Sequence, residues 1–245
     1  MSPTSEPPPL EVYLLGLVDY LDAQKLQRRL VYDLGESGGA ALILCEHSPT
    51  ISVGRAGSRN HIAVDDQVLR SLGVEVYWVN RGGGCVLHQP GQVVAYLAVS
   101  LDSLHLDVQA YLDGLQSALL GVLDEFDLKG TTRPDLPGIF LGNSRVASVG
   151  VAVNRWVAYH GSTLNVGPYL EPFELMIEEP GIGFNPLRQT SMEARRQRPT
   201  PVSKVKESII RQVERFFNLK RHHIFTQHPM IRQKAFDNVY AQSSG

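Results

Sequence analysis

The residues best placed to do chemistry fall in one segment, Asn80-Arg81-Gly82-Gly83-Gly84-Cys85-Val86-Leu87-His88-Gln89-Pro90-Gly91-Gln92. Three successive glycines let a backbone approach a ligand closely, because no Cβ intervenes and positive φ carries no penalty. Arg81 and His88 supply hydrogen-bond donors on either side of them. A ligand-cradling turn is one reading; an ordinary tight turn with a surface arginine is the other, since a glycine triplet marks both. Cys85 would need an adjacent base or cation to act as a thiolate. If the chain is extended after Gly84, side chains alternate faces and Cys85 and His88 point to opposite sides, which favours a small buried apolar role for the thiol. Cys45, within Leu42-Ile43-Leu44-Cys45, reads as core. Two cysteines are too few for a disulfide framework and lack zinc spacing. His47, His61, His105, His222, His223 and His228 share no ligand spacing with a carboxylate pair, so neither metal nor cofactor is expected. His222-His223 reads as a solvated helix end.

The segment resembles the signature of the octanoyltransferase (lipoate-protein ligase B) family, part of the biotin/lipoate protein ligase superfamily. Arg81, Gly82, Gly83, His88, Pro90, Gly91 and Gln92 match, whereas Leu87 stands where that family carries tyrosine. The Gly84-Cys85-Val86 centre is closer to the glycine-rich stretch of lipoate-activating ligases, which share the fold. Glu46-His47-Ser48-Pro49-Thr50 and Val53-Gly54-Arg55 upstream resemble further family blocks. So do Arg145-Val146-Ala147-Ser148-Val149-Gly150-Val151, Tyr159-His160-Gly161-Ser162-Thr163-Leu164-Asn165 and Leu170-Glu171-Pro172-Phe173 downstream. The blocks run in family order from about Val12 to Phe217.

This resemblance implies a single α/β domain of the α+β type, a mixed central sheet with flanking helices around an acyl tunnel. It implies octanoyl or lipoyl transfer from acyl carrier protein to a lysine of lipoyl domains, on 2-oxoacid dehydrogenases or the glycine cleavage H protein. In the family a cysteine carries the acyl group as a thioester and a lysine holds that cysteine as thiolate. Here Arg145 occupies the lysine position; it keeps the cation but cannot relay a proton. Ungapped counting from His160 puts Glu179 at the cysteine position, and a one-residue insertion puts Pro180 there. Neither is a thiol. Glu179 and Arg145 are therefore the expected catalytic pair and expected neighbours. The substrate contacts implied are Arg81 to His88, including Gly84, Cys85, Val86 and Leu87, with Ser148, Val149, Gly150, Gly161, Ser162 and Thr163.

Three functions follow from these residues. The first is direct acyl transfer, with Glu179 as general base for the lysine amine and Arg145 with backbone donors at Gly82 to Gly84 polarising the carbonyl. The second is a catalytically silent homologue that binds an acyl group or a lipoyl domain. The third is an ATP-dependent lipoate-protein ligase, suggested by the glycine triplet.

Elements that would position these groups are legible as periodicity. Asp19 can cap a helix whose apolar face carries Ala23, Leu26, Leu30 and Leu34, ending near Gly35. Ala40 to Cys45, Val74 to Val79 and Val93 to Val99 read as strands. Leu112, Leu115, Leu119, Leu123 and Phe126 define a helix over about Val108 to Phe126. Ile139 to Leu141 and Val146 to Val153 read as a hairpin, and Trp156 to His160 as a further strand. Ser203 is placed to cap a last helix with Val205, Ile209, Val213, Phe216 and Phe217 on one face. Gly181 to Pro201 reads as a long mobile loop. The domain is expected over 10–220, after a loose proline-rich tail at 1–9 and before an extension at 221–245.

Composition narrows the function classes. With 245 residues, 43% of them hydrophobic, the chain can bury a large core. A net charge of -2 gives no field to hold nucleic acid or an anionic membrane. No apolar run reaches membrane-spanning length and the start lacks an export signal, so a cytoplasmic protein is expected.

Overall fold

Continuous apolar runs, not alternating ones, mark the centre of the molecule. The computed structural model describes residues 9–134, 136–176 and 188–231. The elements along them are β1 (Leu10–Leu17), α1 (Tyr20–Ser37), β2 (Ala40–Glu46), β3 (Thr50–Val53), α2 (Asp66–Ser71), β4 (Glu75–Trp78), β5 (Cys85–His88) and β6 (Gln92–Ser100). They continue as α3 (Val108–Glu125), β7 (Thr131–Arg133), β8 (Leu136–Leu141), β9 (Ser144–Asn154), β10 (Val157–Asn165), α4 (Met192–Arg196), α5 (Val202–Phe216) and β11 (His222–Phe225).

The strands form a mixed eight-stranded sheet, in the order β11-β1-β2-β6-β10-β9-β8-β7, and a three-stranded sheet, β4-β3-β5. Every residue of β2 and β6 is buried, as strands covered on both faces must be. Leu42, Leu97, Leu115, Leu119, Ile209 and Val213 pack together on the α3 and α5 side. Leu26, Leu30, Ile43, Cys45 and Tyr96 pack on the α1 side. Alternation along β2 and β6 therefore feeds two cores from one pair of strands. The small sheet has its own cluster of Ile51, Val53, Leu69 and Leu87, against which Phe173 and Met176 rest. The expected α/β class, mixed sheet and flanking helices are thus observed.

Asp19 does cap α1, its carboxylate accepting from the amides of Leu21 at 2.9 Å and Asp22 at 3.3 Å. Other boundaries differ from the periodicity. The last helix starts at Val202 with Pro201 at its cap and no side-chain cap bond, so Ser203 lies inside the first turn. Part of the expected mobile loop is ordered: Ser191 caps α4 through the Ala194 amide at 3.1 Å, and residues 181–187 lie outside the described residues. His222 and His223 are not at a helix end; they begin β11, the edge strand, which runs parallel to β1. Pairing with a distant strand, invisible to local periodicity, decides that stretch. Among the described residues no helix is long and apolar enough to cross a membrane.

Gly161 shows how tightly β10 is seated on β6. Its φ is +141°, and a Cβ there would lie 2.3 Å from the Ala95 carbonyl oxygen. Gly161→Ala is expected to cost about 3 kcal/mol, from backbone strain and overpacking together. Urea unfolding will read this as a lower midpoint at unchanged slope; a midpoint equal to that of the parent would contradict the packing described.

Candidate active site

The glycine-rich segment joins the small sheet to the large one. The Gly82 amide donates to the Val151 carbonyl oxygen of β9 at 2.8 Å. A Cβ on Gly150 would meet Gly82 O at 2.8 Å, and one on Gly54 would meet Gly83 O at 2.4 Å. The missing side chains at Gly54 and Gly150 thus let neighbouring backbones approach the glycine-rich turn. Gly82, Gly83 and Gly84 shape that turn and are not among the residues lining the adjoining recesses.

Arg81 follows the same logic. It is 7% exposed, and its Nη2 donates to Ser52 O at 2.7 Å and Ser52 Oγ at 2.8 Å, while Nη1 donates to Gly82 O at 3.0 Å. Ser52 Oγ also lies 2.8 Å from His88 Nε2. A buried guanidinium is kept only when hydrogen-bonded in this way.

Two adjoining recesses open here, sharing Val86 and Ser148. The first encloses about 440 Å³, part of it open to solvent, and holds Cys85, Leu87 and Arg145 with Phe173, Met176 and Gln189. The second, about 310 Å³, holds Arg81, His88, Val149 and Gly150 with Gly161, Ser162 and Thr163. It is completed by Tyr20, Tyr96 and His160. Cys85 therefore opens on one recess and His88 on the other, and the thiol lies 3.8 Å from Ser58 O.

Arg145 is 9% exposed. Its amide donates to Arg188 O at 2.8 Å and its carbonyl accepts from Thr190 N at 2.9 Å, and its guanidinium stands 5.9 Å from the Phe140 ring centre. Glu179 and Pro180, with the expected Arg145–Glu179 contact, lie outside the described residues; Met176 before them and Gln189 after them line the recess with Arg145.

Sequence reasoning missed the buried group behind the second recess. Tyr20 stacks on Tyr77 with ring centres 5.5 Å apart and lies 5.2 Å from His47 and 5.3 Å from His88. His47 Nδ1 is 2.8 Å from Val18 O and its Nε2 is 3.0 Å from Tyr96 Oη. Burial pushes His47 down to about 4 and His160 to about 3, the latter helped by Arg81 and Arg55. Burial also holds His88 well below the usual histidine range, with His47, Arg81 and His160 adding to it. Burial raises Tyr20 and Tyr96 and pushes the Cys45 thiol up to about 12. The available signal was a tyrosine inside an all-apolar strand, because a buried hydroxyl needs a partner. Gln92, noted only as a motif match, has a structural part: its Nε2 donates to Leu87 O at 3.1 Å and Asn165 Oδ1 at 2.8 Å, tying the Pro90-Gly91-Gln92 turn to β10. Among the described residues no group of three or more His, Cys, Asp or Glu is arranged to hold a metal.

The model of the lipoyl protein ligase A/B catalytic domain matches residues 19–214. The chain belongs to that family. It is 35% identical to an octanoyltransferase of Syntrophobacter fumaroxidans over 207 residues, 83% of this chain and 88% of the relative. It is 35% identical to an octanoyltransferase of Roseiflexus over 216 residues, 86% of this chain and 88% of the relative. In fold it is similar to a lipoate-protein ligase A bound with ATP, at 14% identity and a TM-score of 0.72, with 90% of each chain covered. A bi-partite lipoate protein ligase from Thermoplasma acidophilum, 16% identical, gives a TM-score of 0.68 over 89% of this chain and 88% of its own. The burial of its histidines is a property of this chain that pH can test.

A histidine held neutral by burial stabilises the fold fully above its unfolded value near 6.5, and that contribution is lost as pH falls toward the folded value. For His47, folded near 4, this amounts to about 3 kcal/mol lost between about pH 6.5 and 4. His160 and His88 act in the same direction. Unfolding free energy is expected to drop steeply across this window, and His47→Gln to flatten the drop; identical pH profiles for parent and variant would contradict the assignment.

Proposed function

We propose that this chain transfers an octanoyl or lipoyl group from the thioester of acyl carrier protein directly to the lysine amine of a lipoyl domain, in a 2-oxoacid dehydrogenase or the glycine cleavage H protein. The amine nitrogen bonds to the acyl carbon as the carbon–sulfur bond breaks, and the proton lost by the amine ends on the carrier's thiolate. No thiol of the enzyme is required. Arg145 polarises the carbonyl as a permanent cation, and Glu179 takes the amine proton on its way to the leaving group.

The observation that carries this reading is the pair of recesses meeting at Ser148 and Val86, one ending on Arg145 and the other on Gly161 to Thr163, in a chain about one-third identical to octanoyltransferases over most of its length. A second reading rests on Cys85, which lines the same recess as Arg145: the thiol takes the acyl group first, as a transient thioester.

Intact mass of a purified lipoyl domain, after incubation with this protein and octanoyl-acyl carrier protein, tests both. Octanoylation of the domain with no adduct on the enzyme is expected, persisting in Cys85→Ser and falling at least about 100-fold in Glu179→Ala, the scale of a general base. An octanoyl adduct lost in Cys85→Ser would establish the thiol route. Modification only with ATP and free octanoate would make the chain a ligase, and no modification at all would make it an acyl- or domain-binding protein.

A further inference from the structure

The buried group behind the second recess fixes the direction of its hydrogen bonds. His47 is fully buried, and its Nδ1 faces the Val18 carbonyl oxygen at 2.8 Å. A carbonyl only accepts, so Nδ1 carries the ring proton and Nε2 keeps a lone pair. That lone pair lies 3.0 Å from Tyr96 Oη, which donates to it. The Cys45 thiol, 3.7 Å from the same nitrogen, is the longer and weaker donor. Burial keeps His47 neutral at physiological pH, so this acceptor persists.

Tyr96 lines the recess beside Arg81, His88 and His160. With its proton committed to His47, its oxygen has only lone pairs left to offer. The Gln24 side chain also hydrogen-bonds to the Tyr96 oxygen, and a phenol oxygen can accept from two donors, which leaves one lone pair.

We propose that Tyr96, oriented by His47, accepts a hydrogen bond from an N–H of the attacking primary amine in the second recess. An acyl carbonyl oxygen finds no donor at Tyr96, so the contact selects a nitrogen nucleophile on this side of the site. His47 is a positioning residue: it holds the tyrosine proton away from the substrate. This assignment rests on the acyl-transfer reading above.

The test uses the full chain, octanoyl-acyl carrier protein and a lipoyl domain, with Tyr96→Phe, His47→Gln and His47→Leu. In Tyr96→Phe and His47→Leu, kcat/KM for the lipoyl domain is expected to fall about tenfold, the scale of one lost hydrogen bond, while KM for the carrier protein stays within about twofold. His47→Gln restores the parent value, because its amide N–H can donate to Val18 O and its amide oxygen can accept from Tyr96. Packing alone would not separate Gln from Leu. Nitrogen-15 spectra of the histidine rings in the parent protein are expected to show His47 protonated on Nδ1 and bare on Nε2, and this measurement stands even if a variant fails to fold. A proton on Nε2, unchanged kinetics in Tyr96→Phe, or Leu serving as well as Gln overturns the inference alone. An inert parent protein overturns the transfer reading and the inference with it.

Discussion

A buried cation must be hydrogen-bonded or it is not kept, and the Arg81 guanidinium is the group on which the site's architecture depends. Its partners are the carbonyl and hydroxyl of Ser52 in the small sheet and the carbonyl of Gly82 in the glycine-rich turn. One side chain thereby sets the small sheet, the turn and β5 in register, and the Gly82 bond to Val151 passes that register to the large sheet. The charge also lowers the affinity of His88 and His160 for protons, beyond what burial does.

The interior behind the recesses is polar in an otherwise apolar setting, and much of it is paired, although Nδ1 of His88 and of His160 is buried without a hydrogen-bond partner. Val18 O anchors His47, His47 anchors Tyr96, Arg81 anchors Ser52, and Ser52 anchors His88. Such a network rigidifies a core when satisfied and is costly when it is not. His160 adds backbone strain, with a φ of +68° in a residue that is not glycine. Strain of this kind is retained where surrounding structure over-determines it, and it concentrates at functional sites.

Arg145 decides what its recess can do more than how that recess packs. Arginine preserves charge, stacks on aromatic faces such as Phe140, and cannot give up its proton. A cation of this kind stabilises negative charge on oxygen and does not shuttle a proton, in keeping with the direct transfer proposed above.

The α/β class, helices α1, α3 and α5 and the central strands were legible from residues 10–217, because apolar periodicity follows from the side of each element that is buried. Family motifs likewise brought Arg81, His88, Arg145 and Gly161 to notice, since residue types and spacings survive in the linear chain. What only the tertiary structure decided is where side chains meet. Tyr20, His47, Ser52 and Tyr96 come from four separate elements or the turns beside them, and nothing local distinguishes a core tyrosine from one that lines a recess. Gly54 and Gly150 turned out to accommodate backbone against backbone beside the glycine-rich turn, and His222 to Phe225 became a strand through pairing with β1. Periodicity encodes burial one residue at a time, whereas a hydrogen-bonded cluster is a property of contacts between distant segments, which exist only once the chain has folded.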